Sequence, residues 1–213
     1  MNCKICFYHT KIYQHTQFPH RYHYCPTCEG IFLEESFCVD EHREKKQYDQ
    51  HHNCLENEGY VQMFEDFLDF FWEDITCKEP KVLDFGSGPT PVLKSLLQKR
   101  NAHVICYDKF YHPDDAFKLH HYDLITSTEV FEHLNNPLQT LTLLATLLPS
   151  GGYIALMTLF HDNSFDNFWK WWYRRDPTHI TFYTPKTIEV LAHECGLESV
   201  KHDGKRVVLL KKR

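Results

Sequence analysis

The sequence lacks any apolar run long enough to cross a membrane. Its most apolar stretch, residues 138–160, is interrupted by Pro149, Gly151 and Gly152, whereas a membrane-spanning helix needs about 20 consecutive apolar residues. The first residues, Met-Asn-Cys-Lys-Ile-Cys, also lack the apolar centre of a secretory signal peptide. We therefore expect neither a membrane span nor secretion.

An excess of positive charge is missing as well. Lysine and arginine number 23 against 29 aspartates and glutamates, a formal net charge of −6. Nonspecific nucleic-acid binding depends on clustered lysine and arginine, so the composition disfavours a broad phosphate-binding surface and leaves only a small local contact to RNA open. With 42% hydrophobic residues, the 213-residue chain can form one ordinary domain plus a small appendage.

Cysteine, by contrast, is abundant, with nine residues. Without a signal peptide this number indicates a reducing compartment, where thiols bind metal or pack in cores more often than they form disulfides. We therefore expect a cytoplasmic protein.

Four of the cysteines form two pairs with metal-ligand spacing. Cys3-x-x-Cys6 and Cys25-x-x-Cys28 are separated by eighteen residues, which matches a four-cysteine zinc ribbon. Four thiolates leave no open position for water, so the Zn²⁺ would be structural. The alternative is four unrelated buried thiols. We assign the ribbon to residues 1–40, with a role in substrate docking or in structural support.

From residue 79 to residue 213 the pattern alternates between strand and helix. The predicted strands are 81–85, 103–107, 122–127 and 152–158, and the predicted helices are 91–100, 137–148 and 185–195. Two further runs, 197–202 and 206–211, are joined by Asp203-Gly204, which is a strong hairpin signal. This alternation predicts an α/β fold with a doubly wound, mostly parallel sheet and an antiparallel edge.

The turn after the first of these strands is rich in glycine. Gly86 and Gly88 let the backbone approach a ligand, and the next helix offers free N–H groups. A dinucleotide fingerprint would need a third glycine where Pro91 stands. Asp84 would repel a pyrophosphate but suits a cationic sulfonium amino acid, which favours S-adenosylmethionine over NAD. The alternative is an ordinary tight turn.

Asp108 ends the second strand of this domain, twenty residues after Gly88. A carboxylate at this position can accept hydrogen bonds from both ribose hydroxyls of a nucleotide cofactor. NAD enzymes place an acid similarly, so Asp108 supports a nucleotide site without distinguishing the two cofactors.

With these motifs, the sequence resembles the class I S-adenosylmethionine-dependent methyltransferases over about residues 80–210. The matching stretches are 82–91, 104–108, 122–133 and 149–158. The resemblance implies a seven-stranded, Rossmann-like sheet with an antiparallel last strand. It also implies cofactor-binding residues: Asp84, Gly86, Ser87 and Gly88 at the methionyl part, Asp108 at the ribose, and Ser127, Thr128 and Glu129 near the methyl group.

The sequence departs from the family pattern in two places. Thr90 stands where many members have a third glycine, and the segment between Asp108 and Tyr122 has room for only a vestigial third strand. The acid that commonly contacts adenine has no clear equivalent there, although Asp114 and Asp115 are candidates.

Residues 41–78 are predicted to be a helical connector. Residues 41–50 are highly polar, while apolar residues recur at helical spacing from Val61 to Phe71. In many relatives this segment folds over the cofactor as a lid. The candidate site-lining residues are Tyr48, His51, Asn53 and Tyr60. The alternative is a solvated helix that joins the ribbon to the core.

Candidate catalytic residues follow two of the strands. Glu129-x-x-Glu132-His133 resembles a stretch of the O-methyltransferases of quinone biosynthesis, where such residues help to hold a metal or orient the acceptor. Alternatively, the carboxylates start a helix and His133 packs beneath them. His179 lies in a His-x-x-Phe pattern of the kind that small-molecule methyltransferases place over the acceptor, where a neutral imidazole can remove a proton. Its alternative is a loop histidine bonded to backbone.

An aromatic cluster is formed by Phe168, Trp169, Trp171, Trp172 and Tyr173. It either walls an acceptor pocket or belongs to the core or to an oligomer contact. We expect methyl transfer from S-adenosylmethionine to an O, N or C atom of a small molecule. The alternatives are an RNA or protein methyltransferase that docks through the ribbon, and a cofactor-binding scaffold without turnover.

Overall fold

The computed structural model describes residues 1–50 and 57–213, which form ten strands and six α-helices. The strands are β1 (Lys11–Gln14), β2 (Arg21–Tyr24), β3 (Ile31–Leu33), β4 (Lys81–Phe85), β5 (His103–Tyr107), β6 (Leu124–Thr128), β7 (Tyr153–Met157), β8 (Thr181–Phe182), β9 (Leu197–His202) and β10 (Val207–Lys212). The helices are α1 (Glu41–Tyr48), α2 (Glu58–Phe71), α3 (Val92–Lys99), α4 (Pro137–Thr146), α5 (Phe165–Lys170) and α6 (Pro185–Glu194).

The larger sheet has the strand order β5-β4-β6-β7-β10-β9. The first four strands are parallel to one another, and β10 runs antiparallel to both β7 and β9. The predicted mixed α/β sheet with an antiparallel edge is therefore confirmed. All four parallel strands end at the same edge, where ligands of such sheets bind.

The predicted count of seven strands is wrong, because the described residues give this sheet six. Between β5 and β6, a tight turn pairs Asp108 with His112 and a single 3₁₀ turn follows at Asp115–Leu119. A parallel strand needs a crossover of a dozen or more residues, and this segment is too short for a crossover and a further strand.

The predicted helices are present: α4 and α6 begin at the predicted residues, and the other ends lie one or two residues inside the predicted bounds. At the start of α6, the Thr184 side chain accepts from the Thr187 backbone N–H, and the Thr187 hydroxyl accepts from the Thr184 N–H. The helix stops at Cys195, where Gly196 follows at φ +73°. The connector forms two helices, and α2 buries Phe64, Phe67, Leu68 and Phe71 against the larger sheet and α3.

The smaller sheet, in the order β1-β2-β3-β8, joins the first strands of the chain to a strand that lies just before α6. Strand β3 pairs antiparallel with β8, with Ile31 opposite Phe182 and Phe32 opposite Thr181. The first 40 residues therefore share a sheet with a segment that lies between β7 and α6. We call residues 1–40 the N-terminal unit and residues 158–184 the β7–α6 segment.

A buried aromatic cluster fills the space behind this joint sheet. Its fully buried members are Tyr22, Ile31, Leu33, Phe168, Trp169, Tyr173 and Phe182. Polar contacts add to the joint: the Glu29 carbonyl accepts from His161 Nε2 at 3.0 Å, and the Glu29 carboxylate accepts from the Thr184 hydroxyl at 3.0 Å. The N-terminal unit and the β7–α6 segment are thus two sides of one core.

Across residues 1–50 and 57–213, no helix combines the length and apolar character that a membrane span requires.

The shared core predicts that the N-terminal unit and the main sheet unfold together. Phe182 is fully buried in it, so Phe182→Ala should lower the free energy of unfolding by about 3–5 kcal/mol. Urea titration followed by tryptophan fluorescence and by far-ultraviolet circular dichroism should give one coincident, shifted transition. Trp172→Ala is the control, because Trp172 is 66% exposed and its loss should cost about 0.5 kcal/mol or less. A separate early transition in Phe182→Ala, with the main midpoint unchanged, would contradict the shared core.

Candidate functional site

The loop after β4 is folded back onto the end of β5. The N–H groups of Gly86 and Ser87 donate to the Tyr107 carbonyl at 2.7 and 3.1 Å. Gly86 has φ +84°, and a Cβ there would lie 2.2 Å from Val130 Cγ2. Only glycine fits this position, because both the backbone angle and the close side chain exclude a larger residue. Gly88, at φ +66°, faces open space instead.

Asp108 holds this loop from the neighbouring strand. Its Oδ2 accepts from the Gly88 N–H at 3.0 Å, and its Oδ1 accepts from the N–H groups of Phe110 and Tyr111 at 2.8 and 3.1 Å. The structure therefore brings together the glycine loop and Asp108, two of the predicted cofactor-binding elements. The carboxylate is fixed in one orientation beside the open face of the loop.

Asp84 lies beneath the loop at the end of β4. It is buried, and its Oδ1 accepts from the Thr126 hydroxyl at 3.2 Å. Burial, and to a lesser extent the nearby Asp108 carboxylate, raises the pKa of Asp84 to about 7. A cation placed next to this carboxyl would favour its ionised form, so the position suits a positively charged ligand.

The end of β6 supplies the next three predicted residues. Ser127 is buried, and its hydroxyl has no hydrogen-bond partner among the described residues. Thr128 is half-buried and pairs with Met157 of β7. Glu129 follows with φ +53°. An orphaned buried hydroxyl at this edge is an observation that fits a missing polar ligand.

Glu129 and Glu132 form a buried acid pair with Tyr173. The Tyr173 hydroxyl oxygen lies 2.7 Å from Glu132 Oε1 and 3.1 Å from Glu129 Oε2. Burial, and then the neighbouring Glu132 carboxyl, holds the pKa of Glu129 well above its usual range, and burial also raises the pKa of Glu132. Because the hydroxyl has one proton to donate, a protonated carboxyl supplies the second hydrogen bond of this network.

His133 and His179 lie next to this acid pair. His133 Nδ1 donates to the Thr178 carbonyl at 2.9 Å, and His179 Nδ1 donates to the Tyr173 carbonyl at 2.8 Å. The two ring centroids are 4.8 Å apart. With Nδ1 donating, a neutral His133 ring carries its lone pair on Nε2. Burial lowers the pKa of His133, so that this ring stays neutral.

Two groups of side chains in the described residues have the donor types and spacing for a metal. In one, ligand atoms of Glu132, His133 and His179 lie within 4.8 Å of one another. Glu132 Oε2 is also buried without a partner in the described residues. A histidine that binds metal through one ring nitrogen usually donates the other N–H to a backbone carbonyl or a carboxylate, and both histidines have such a carbonyl partner here.

The other group is the cysteine cluster of Cys3, Cys6, Cys25 and Cys28. The Sγ atoms of Cys3 and Cys28 are 3.5 Å apart, as are those of Cys6 and Cys25, and all four lie within 4.8 Å of one another. Four thiolates around Zn²⁺ at about 2.3 Å would have Sγ atoms separated by about 3.8 Å. The spacing therefore fits Zn²⁺.

The electrostatics of the cysteine cluster also favours a bound cation. Burial raises the pKa of Cys6 to about 11, while the contact with Cys28 lowers the pKa of Cys3 to about 5. The described cysteines are free thiols. Buried sulfurs at this distance cannot all ionise without a positive charge between them, and Zn²⁺ supplies that charge.

Helix α1 lies across the carboxyl edge of the larger sheet. Lys109 Nζ binds Glu44 at 2.6 Å, and the Tyr111 hydroxyl donates to Asp49 at 2.6 Å. The Tyr48 ring meets the His133 ring edge-on, with 5.0 Å between centroids. Tyr48 thus contacts His133, another of the predicted site residues.

The other predicted lid residues divide between described and undescribed parts of the chain. Tyr60 is half-buried, and burial together with the charges of Asp84 and Glu129 raises the pKa of its hydroxyl. Tyr60 therefore faces the same site. His51 and Asn53 lie outside the described residues.

Tyr173 and Glu132 were not among the residues predicted to act at the site. Glu132 was noted only as part of its motif, and Tyr173 only as one of five clustered aromatics. The available signal was the hydroxyl itself, because a buried tyrosine needs a hydrogen-bond partner. The sequence does not reveal which residue the Tyr173 hydroxyl bonds to.

Comparison with known proteins agrees with this geometry. A family model described as a methyltransferase domain matches residues 39–202. No curated protein sequence matches the chain.

Several solved structures share the fold at low sequence identity. CalO1, a methyltransferase of calicheamicin biosynthesis solved with bound SAH, has a TM-score of 0.55 and 13% identity over 71% of this chain and 54% of its own. A putative sarcosine dimethylglycine methyltransferase from Galdieria sulphuraria has a TM-score of 0.53 and 15% identity, covering 83% and 92%. Magnesium protoporphyrin IX methyltransferase (ChlM) from Synechocystis, solved with bound SAM, has a TM-score of 0.52 and 14% identity, covering 81% and 90%.

This chain spans about half the length of CalO1, and identities at this level establish the fold alone. The family assignment depends on the family model, which covers well over half of the 213 residues. The chain therefore belongs to the methyltransferase-domain family.

Proposed function

We propose that this protein transfers the methyl group of S-adenosylmethionine to an O, N or C atom of a small molecule. The observation that carries the proposal is the junction of the glycine loop with Asp108, whose carboxylate is fixed 3.0 Å from the Gly88 N–H. When bound, the cofactor supplies an electrophilic methyl group on a sulfonium with a good leaving group.

In this proposal the cofactor lies along the carboxyl edge of the larger sheet. Asp84, Gly86, Ser87 and Gly88 contact its methionyl part, Asp108 accepts from the ribose hydroxyls, and Ser127, Thr128 and Glu129 lie near the methyl group. Three observations support the arrangement. Asp84 is a buried acid suited to a cation, Gly88 leaves open space for a ligand, and the Ser127 hydroxyl is left without a partner in the described part of the chain.

The main tasks of the protein are to align the acceptor and to exclude water. Helix α1 contacts Lys109, which follows Asp108, through Glu44, and it contacts His133 through the Tyr48 ring. A covered site of this kind suits a small acceptor better than a segment of RNA or protein. Tyr48 and Tyr60 are the described residues of the proposed lid.

His179 and His133 are the proposed proton acceptors for an acceptor group that must lose a proton. Each has its Nδ1 fixed by a backbone carbonyl, which sets the orientation of the ring. Glu129 has a raised pKa and therefore starts in the protonated form. Its role is to orient groups beside the methyl position.

We further propose that Cys3, Cys6, Cys25 and Cys28 hold a structural Zn²⁺. Two observations support this proposal. The Sγ atoms of Cys3 and Cys28, and those of Cys6 and Cys25, are 3.5 Å apart, and three of the four residues are buried. This metal would close the N-terminal unit, whose strands β2 and β3 form part of the shared core.

Cofactor binding tests the central proposal. The wild-type protein should bind S-adenosylmethionine in a calorimetric titration and should not bind NADH. Asp108→Asn should weaken S-adenosylmethionine binding at least about tenfold, because the bonds from the ribose hydroxyls to a charged acceptor are lost. Asp123→Asn is the matched control, because Asp123 accepts from the Lys81 N–H at the opposite end of β4. Unchanged affinity in Asp108→Asn would remove Asp108 from the site, and tight NADH binding would overturn the choice of cofactor.

The raised pKa of Asp84, about 7, predicts a pH dependence of binding. Below pH 7 the free protein carries a protonated, neutral Asp84, and a cationic ligand must displace that proton. Affinity for S-adenosylmethionine should therefore rise from pH 6 to pH 8, by at most about tenfold per pH unit. Asp84→Asn should abolish the dependence. A wild-type affinity that is flat over this range would show that the ligand does not sense Asp84.

Elemental analysis tests the zinc proposal. Freshly purified protein should contain one equivalent of zinc, and Cys25→Ser should lose it and become less stable, because small ribbons need their metal to fold. Cys38→Ser provides the control, since Cys38 is half-buried and lies outside the cluster. Wild-type protein without zinc would refute a structural Zn²⁺ at these cysteines.

A further inference from the structure

Three of the groups at the candidate site converge on one residue, Tyr173. Its hydroxyl oxygen lies 2.7 Å from Glu132 Oε1 and 3.1 Å from Glu129 Oε2. Its backbone carbonyl accepts from His179 Nδ1 at 2.8 Å, and its ring centroid lies 4.1 Å from that of His179. A shift of Tyr173 would therefore move both the acid pair and the histidine.

The position of Tyr173 is set by the shared core. The residue is 2% exposed and belongs to the same buried cluster as Tyr22 and Ile31 of the N-terminal unit. Its ring packs against Trp171, with 5.0 Å between centroids. Tyr173 begins a 3₁₀ turn, Tyr173–Arg175. Arg174 of this turn donates to the Trp169 carbonyl of α5 at 3.0 Å, which connects the turn to that helix.

Glu129 needs such support because its backbone is strained. At φ +53° it occupies the left-handed region, which is unfavourable for a residue with a side chain. Such a conformation persists only where surrounding contacts fix it, and it is common at functional sites. Two contacts do so here: the Glu129 N–H donates to the Met157 carbonyl at 2.8 Å, and the carboxyl is held by Tyr173.

We propose that Tyr173 is a positioning residue of the methyl-transfer site, which holds the Glu129 carboxyl beside the transferred methyl group and links that site to the N-terminal unit. The inference rests on the proposed function, because it takes the cofactor to lie along this edge. Tyr173 itself touches neither cofactor nor acceptor. It acts through Glu129, Glu132 and His179.

Two cofactor analogues test this inference without knowledge of the acceptor. S-adenosylhomocysteine lacks the methyl group, whereas sinefungin carries an amine at that position. A carboxyl held beside the methyl position should make wild-type protein bind sinefungin about tenfold more tightly than S-adenosylhomocysteine, because it gains a charge-assisted hydrogen bond. Tyr173→Phe keeps the ring and removes the hydroxyl. It should reduce this preference at least about fivefold while changing S-adenosylhomocysteine affinity less than about twofold.

The matched control is Tyr122→Phe. Tyr122 is equally buried, and its hydroxyl donates to the Phe117 carbonyl at 2.8 Å and not to a carboxyl. The Tyr122→Phe variant should prefer sinefungin over S-adenosylhomocysteine as strongly as the wild type does. Glu129→Gln should lose the preference as Tyr173→Phe does, and the double variant should lose no more than either single variant, because both changes remove one interaction.

The outcomes separate this inference from the proposed function. If wild-type protein binds neither analogue, the proposed function fails. Suppose instead that wild-type protein binds both analogues and that Tyr173→Phe unfolds at the wild-type temperature. If this variant then retains the full preference for sinefungin, the positioning role is overturned. If Tyr173→Phe does not fold, Glu129→Gln decides, and an unchanged preference in that variant overturns the inference.

Discussion

The in-register parallel pairing of β4 with β5 and β6 is the constraint on which the site depends. It sets Asp84 opposite Cys106 on one side and Thr126 on the other. A slip of one residue would turn every side chain of β4 to the opposite face of the sheet. The register therefore decides that Asp84 meets the Thr126 hydroxyl, and that the following loop meets the Tyr107 carbonyl and Asp108. Since β7 extends the same parallel array, Glu129 is anchored through Met157 at that edge.

The acids gathered at this edge share an electrostatic property. Asp84, Glu129 and Glu132 all have raised pKa values, in each case chiefly because burial disfavours their charged forms. Buried carboxyl groups are stabilised either by protonation or by hydrogen bonds. Here the Thr126 hydroxyl bonds to Asp84, and the Tyr173 hydroxyl bonds to Glu132. A cation that enters reverses the balance, because it favours ionisation of the acids it contacts. The edge is thus arranged for a positively charged ligand, which agrees with a sulfonium cofactor better than with a dinucleotide.

Sequence patterns predicted the parts of this molecule that depend on local repetition. Strands β4 and β5, the glycine loop and Asp108 follow from apolar periodicity and from a turn whose backbone angles need glycine. The number of strands was not predicted correctly. The family resemblance implied a further strand between β5 and β6, but that short segment forms a 3₁₀ turn instead. Strand β8 has two residues, Thr181 and Phe182, too few to show a period. Its pairing with β3 joins positions about 150 residues apart, and no local pattern encodes such a contact. The role of Tyr173 depends on that pairing.

That long-range pairing also explains why the N-terminal unit and the site are found together. The β7–α6 segment carries Tyr173 and His179 but contributes only one face of the aromatic cluster around them. The other face comes from β2 and β3, which the cysteine cluster holds through the turn where the Glu29 N–H donates to the Cys25 carbonyl. Burial of aromatic side chains stabilises both partners only when both are present. The position of Tyr173, and through its backbone carbonyl that of His179, therefore depends on contacts with the N-terminal unit. The same dependence extends to the two carboxyl groups that the Tyr173 hydroxyl contacts.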